Sequence, residues 1–402
     1  MPDIKLKNQP FDVAFHPTSP ILYTSLLTGE VKAFRYDDTL GESSSTSWTA
    51  RPTRRTARAV VVNQMGESVW VGGKSGALFR LDAESGKVKQ ERAGAHETPI
   101  NRLFCVNENL LASGDDEGLI RFWDPRKEDC IRSYNHHQDY ISDFCYFDDK
   151  RQLVSTSGDG RLSVIDIRVN KTVPLAISED QEDELLSLVP IKGGTKLAVG
   201  TGLGVVSIWN RKSGWGDCVD RVPGHPASID ALVALTPDVI ATGSEDGMIR
   251  VLQLLPNKFL GVIATHEDYP IERLKLDRNA KWLASVSHDL CIKLTDVEDM
   301  FEESDEEMEE ENVEEEGRTS RTEVNGDVDM TGQSDTEEDD DEDEDEDNEE
   351  RDEDEGEEKE GEEESEEEEQ PKKKKEVKKG GKGGSGDMGR VRQDDATFFD
   401  DL

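Results

Sequence analysis

Serine, histidine and aspartate are the residues of this chain whose company could do chemistry. A histidine held between a carboxylate and a hydroxyl activates a nucleophile. His96, His137, His225 and His266 each precede an apolar run bearing Ser or Thr, with acidic residues in the turn that follows. They recur at one place in a repeating unit, whereas an active site needs a single asymmetric constellation. Recurrence therefore assigns them a structural role. The chain has no GxxxxGK[ST], HExxH or GxSxG. Gly72-Gly73 and Gly200-Thr201-Gly202-Leu203-Gly204 are glycine-rich. They sit at hairpin-turn positions, with no following helix to present its N-terminus to a phosphate. The five cysteines, Cys105, Cys130, Cys145, Cys218 and Cys291, form no CxxC pair and lack metal-ligand spacing. They are expected to be reduced thiols of an intracellular protein. No catalytic residue, cofactor or metal is expected, so the chain is read as a non-enzyme.

The elements that carry these residues are strands. Leu110 to Arg126, LLASGDDEGLIRFWDPR, is an apolar run, a Gly/Asp-rich tight turn and an alternating run closing on Trp123-Asp124. The unit recurs with its turn residue at Gly29, Gly76, Gly118, Gly160, Gly204, Gly247 and Leu290, at intervals of 42 to 47 residues. The period and the Trp-Asp ending resemble the WD-repeat family, whose repeats are the blades of a β-propeller. The expected fold is all-β, a seven-bladed propeller over residues 1–298, with blades near 10–50, 56–92, 96–134, 137–177, 183–222, 225–264 and 266–298. A fourth strand follows the WD-like dipeptide, as in Cys130–Tyr134, Thr172–Ile177 and Leu260–Thr265. The last repeat lacks one, and Ile4-Lys5-Leu6-Lys7 alternates like a strand without a partner. Residues 3–8 are therefore expected to clasp the last blade and close the ring. In this family a His, a strand Ser/Thr, a turn Asp and the Trp form a hydrogen-bond network. Here His137, Ser157 and Asp159 share a blade with Ile165 at the Trp position, and Glu117 takes the turn Asp position beside His96 and Trp123. No blade is expected to hold the full set.

Charge divides the chain. The net charge is −43, of which residues 301–402 hold −35 and the first 300 only −8. Residues 299–370 are nearly all Glu, Asp, Ser and Gly, a composition expected to remain disordered. Ser304, Ser334, Thr336 and Ser365 precede acidic residues and resemble sites for acid-directed kinases. Residues 371–402 form a third segment. Lys372, Lys373, Lys374, Lys375, Lys378 and Lys379 resemble a nuclear or nucleolar import signal. Phe398 and Phe399, in Phe-Phe-Asp-Asp-Leu, read as a short docking peptide. There is no signal-peptide pattern and no apolar run long enough for a bilayer, so no membrane role is expected.

Three sets of propeller residues are candidates for partner contact. Arg54, Arg55 and Arg58 lie in a basic loop and Ser178–Glu184 in an acidic one, both leading into inner strands and so expected on one rim. Tyr140 and Tyr269 stand just before inner strands, near the channel mouth. Asp124 with Arg126, and Asp166 with Arg168, match the WDxR box of propellers that serve as substrate receptors on cullin ubiquitin ligases. The opening IKLKNQPFDVAFHP, the degenerate blades, the acidic-then-lysine tail and the FFDDL segment together resemble the fungal JIP-five proteins, relatives of the animal WD-repeat protein fifty-five. That resemblance implies a nucleolar scaffold supporting rRNA processing and large-subunit assembly. The expected partners are assembly factors and basic ribosomal proteins or histones, met as a monomer within a larger complex. RNA contact is expected to be indirect, with Arg54, Arg55, Arg58 and the lysines touching RNA locally. The alternatives are a ligase substrate receptor and a histone-binding chaperone.

Overall fold

Twenty-eight strands form seven four-stranded antiparallel sheets in a computed structural model that describes residues 3–36 and 44–298. No helix occurs among the described residues. The first blade shows the plan, running from Pro10–Phe15 at the channel through Ile21–Leu26 and Val31–Tyr36 to Ser44–Ala50 outside. Each inner strand packs against the inner strands of both neighbours, and Pro10–Phe15 meets Ile271–Leu276, so the ring closes. Middle strands such as Ser68–Gly73, Leu110–Asp115 and Gln152–Ser157 are buried at every position. They are covered on both faces by adjacent blades, which explains why they read as apolar runs without alternation.

The clasp forms as the alternation implies. Asp3–Lys5 pairs antiparallel with Cys291–Lys293, in the register Asp3 to Lys293, Ile4 to Ile292 and Lys5 to Cys291. The Leu6 amide donates to the Leu290 carbonyl at 2.8 Å. Ile4 and Leu6 are buried among Leu22, Phe34, Trp282 and Ile292.

All seven anchor turns need a positive φ, from 60° at Leu290 to 79° at Gly118. Six glycines adopt it freely; Leu290 carries a Cβ into the same region. Its side chain is partly exposed, so little burial is lost on shortening it. Leu290→Gly is expected to raise stability by up to about 1 kcal/mol, read as a higher urea midpoint with unchanged m-value. An unchanged or lower midpoint refutes this reading of the turn.

One strand is shorter than its sequence implies. The outer strand of the fourth blade is only Ala176–Ile177, not Thr172–Ile177. Pro174 has no amide to give the ladder, so pairing begins beyond it.

Candidate functional site

The Ser–His–Asp groups are real, and they are sealed. His96 Nδ1 lies 2.7 Å from Asp115 Oδ2, and its Nε2 lies 2.6 Å from Ser113 Oγ. Trp123 Nε1 donates to the same Ser113 Oγ at 2.8 Å. One proton assignment satisfies every group: indole to serine, serine to Nε2, Nδ1 to carboxylate. That needs a neutral imidazole, and burial, outweighing Asp115, does lower the His96 pKa. The full network therefore exists in this blade, against expectation. Asp115 at the end of the strand supplies the carboxylate in place of Glu117, and its Oδ1 also accepts the Glu117 and Leu119 amides.

Two more blades repeat the arrangement without the tryptophan. His266 bridges Asp289 and Ser285, each at 2.7 Å. His137 bridges Asp159 at 3.0 Å and Ser163 at 2.9 Å. The serine is Ser163, not Ser157. Ser163 sits opposite Ser155 in the ladder and bonds it at 2.6 Å, while Ser157 turns to the Asp139 carbonyl. Ser113, Ser163 and Ser285 are all buried. A nucleophile must meet its substrate, so these triads serve as ties between strands.

The WDxR boxes lie between third and outer strands. Asp124 takes Arg126 Nε and NH2, each at 2.8 Å, and the Arg126 amide at 2.9 Å. Asp166 holds Arg168 in the same way. The carboxylates therefore close their own turns, while the Arg126 and Arg168 side chains remain 69% and 60% exposed. Arg92 of the preceding blade stacks between Trp70 and Trp123, 5.4 and 5.3 Å from their centroids, and donates to the Asp124 carbonyl.

The opposite rim carries the charged loops together, as expected. A Cβ on Gly29 would meet the Thr53 and Arg55 carbonyls, and one on Gly160 would meet Asp180 and Asp183. Both loops thus pack on the hairpin turn of the blade before. Arg54 and Arg55 are exposed. Arg58 is engaged, donating to Asp116 and Asn101 at 2.9 Å. Tyr269 is 47% exposed on this rim, beside Pro270, which lines the larger hollow of the mouth; the lining of that hollow does not include Tyr269.

The mouth itself is built by seven matching bulges. Every inner strand slips register after its first residue, leaving Phe11, Arg58, Asn101, Ser142, Leu186, Asp230 and Glu272 unpaired. A bulge re-aims a side chain, and these seven line two adjoining hollows at the channel entrance. Below them Arg273 reaches across the channel to Asp143, at 3.2 and 3.3 Å, with Asp12 3.6 Å from its Nε. Blades one, four and seven are thereby tied through the axis.

The larger hollow, about 510 Å³, is lined by Asp183, Glu184, Asp230, Glu245 and Glu272, with Tyr140, Leu186, Pro270 and Ile271, and contains no lysine or arginine. Tyr140 donates to Glu184 at 2.9 Å, and His288 sits 2.6 Å from Glu272. Burial, reinforced by Glu272 and Glu245, pushes the Asp230 carboxyl up to about 6. Sequence reasoning found Tyr140 and the acidic loop here but missed Asp230, Glu245 and Glu272. For Asp230 and Glu272 the available signal was the residue after the first apolar position of each inner strand, whereas Glu245 lies in the turn after a middle strand.

Among the described residues, no cluster of three metal-ligating side chains occurs, and no helix is long and apolar enough to cross a membrane. The acidic stretch, the lysines at 372–375 and 378–379, and Phe398 and Phe399 lie outside the described residues.

Seven blades, a clasped last sheet and buried His–Ser–Asp ties define a WD-repeat β-propeller. More narrowly, the WDR55 family model matches residues 1–300, and the chain belongs to that family. It is 63% identical to WD repeat-containing protein JIP5 of Cryptococcus neoformans var. neoformans, over 76% of this chain and 88% of that protein. It is 46% identical to JIP5 of Coprinopsis cinerea, over 76% of each. It is 36% identical to WD repeat-containing protein 55 of Arabidopsis thaliana, over 75% of this chain and 84% of that one.

Proposed function

We propose that this protein is a non-enzymatic platform for ribosome biogenesis in the nucleolus, binding basic assembly factors and ribosomal proteins at the carboxylate-lined mouth of its ring. One observation carries the reading: five carboxylates face a hollow lined by no lysine or arginine. Deeper in the ring Arg273 is paired with Asp143 and Arg58 with Asp116, and Arg102, in the adjoining hollow, bonds carbonyls and offsets the acidic charge only in part. A lysine or arginine side chain of a client supplies a cation within the hollow itself, and Tyr140 offers it an aromatic wall. The tail, with net −35 over residues 301–402, adds long-range attraction that salt weakens. The import signal at Lys372–Lys375 supports a nuclear address.

Asp230 makes the reading testable. Its folded pKa is raised, so the protonated form is the one folding favours. Its contribution to stability is fully present below about pH 4 and is lost as pH rises through about 6. Asp230→Asn removes that cost, so Asp230→Asn/Glu272→Gln is expected to fold at least as well as the parent at pH 7. Purification from cells through the intact chain is expected to recover pre-ribosomal proteins. The double variant is expected to lose at least about tenfold of them, and in vitro capture of a basic ribosomal protein is expected to strengthen from pH 5 to pH 7. Undiminished recovery with the variant refutes the mouth as the site. Absence of pre-ribosomal proteins from the parent's partners refutes the biological assignment.

A further inference from the structure

The outer edge of the fourth blade differs from the rest of the ring. Pro174 cuts its last strand to two residues. The segment leading into it turns apolar side chains outward: Val173 is 69% and Leu175 58% exposed, with Val169 and Ile177 exposed to a lesser degree. Four exposed aliphatic side chains within nine residues make a ledge, and contiguous exposed apolar surface marks a contact site. The segment 167–177, IRVNKTVPLAI, holds no carboxylate. Lys171 is exposed on it. Arg132 of the third blade lies along it, donating to the Ile167 carbonyl at 2.8 Å and to the Val169 carbonyl. Arg132 makes no ion pair there; Asp166, the nearby carboxylate that feels its charge, is held by Arg168. The ledge is thus apolar with a cationic border, on a propeller whose first 300 residues carry −8.

The chain itself contains the complementary segment. Phe398-Phe399-Asp400-Asp401-Leu402 joins three large apolar side chains to two carboxylates. About a hundred residues at up to roughly 3.3 Å each separate it from the last blade, reach enough for any face of the ring. Tethering gives an effective concentration on the order of millimolar, so even a weak contact is populated. The sixth blade also exposes Leu260 and Val262. There, however, Phe259 is already packed on His225, and Asp220, held by Asn257, would repel the carboxylates.

We propose that Phe398–Leu402 docks on the fourth-blade ledge of its own chain, the phenylalanines covering Val173 and Leu175 and the aspartates facing Lys171 and Arg132. This stands apart from the channel mouth and does not depend on the proposed function. Hydrogen exchange on the full chain tests it. In Phe398→Ala/Phe399→Ala, amides of residues 169–177 are expected to exchange at least about tenfold faster than in the parent, with the rest of the ring unchanged. A synthetic peptide of residues 393–402, added at millimolar concentration, is expected to restore protection. It should fail to do so when Val173→Glu and Leu175→Glu are also present. Equal exchange in parent and double-alanine chain overturns the proposal, as does peptide protection on another blade. Protection that rises with protein concentration assigns the ledge to a second copy and overturns it too.

Discussion

Arg273→Met is expected to cost the ring about 3–5 kcal/mol, the usual loss when one partner of a buried ion pair is removed. Arg273 is buried, and two carboxylates from other blades converge on it. Burial opposes its charge, yet Asp143 and Asp12 more than offset that and raise its pKa. Methionine keeps much of the length and none of the charge, so Asp143 and Asp12 lose the one cation that touches both, and Lys275 and Arg102 act on them only from further off. Asp12 has some compensation, because its oxygens accept the Val13 and Val60 amides at 2.8 and 2.9 Å. Asp143 has the amide of Phe144 but no amide from the next blade to match Val60, and against burial its pKa is held below the ordinary carboxylate range mainly by Arg273. Adding Asp143→Asn to Arg273→Met is therefore expected to recover more than half of the loss. Urea unfolding measures both. A single-variant cost below about 1 kcal/mol, or no recovery in the double, means the axis is not where the blades are tied.

Why that tie escaped the sequence is a matter of geometry. Arg273 and Asp143 are 130 residues apart on inner strands that never pair. Their meeting depends on the ring closing and on a bulge ahead of each. A bulge is one extra residue with no obligatory residue type, so Phe11, Arg58 and Asp230 share a position without sharing chemistry. The same blindness hid the mouth: parity counted along Ile229-Asp230-Ala231 fails wherever the register slips. Features that rest on backbone conformation or on single-strand patterning were legible. The seven turn residues all take the left-handed conformation, including the leucine. Between lie cases where the information was present but local rules competed. Glu117 and Asp115 both flank one turn, and only the strand's end decides which faces His96. Arg58 read as a free cation until Asp116 and Asn101, more than 40 residues away, claimed it.

Removing residues 1–8 is expected to have the largest effect of any change considered. The first strand and the residue after it contribute two buried side chains, Ile4 and Leu6, each worth about 1.5–3 kcal/mol in burial alone. It also covers the open edge of Cys291–Asp296 in a blade that has no other fourth strand. Without it that edge presents unpaired amides and carbonyls beside the exposed apolar faces of Ile292 and Leu294, a template for pairing with other chains. Because the clasp joins the first residues to the last blade, its loss also frees the seam between Pro10–Phe15 and Ile271–Leu276. Truncation is thus expected to yield aggregated protein, or a ring whose seventh blade loses amide protection before the others. Ile4→Ala/Leu6→Ala separates the two contributions. It retains the backbone ladder and removes the apolar contacts, at about 2–5 kcal/mol for each site if independent and less if the pair relaxes together. Light scattering and urea unfolding of the two variants decide the matter. A soluble truncation as stable as the parent would show that the ring holds without its clasp.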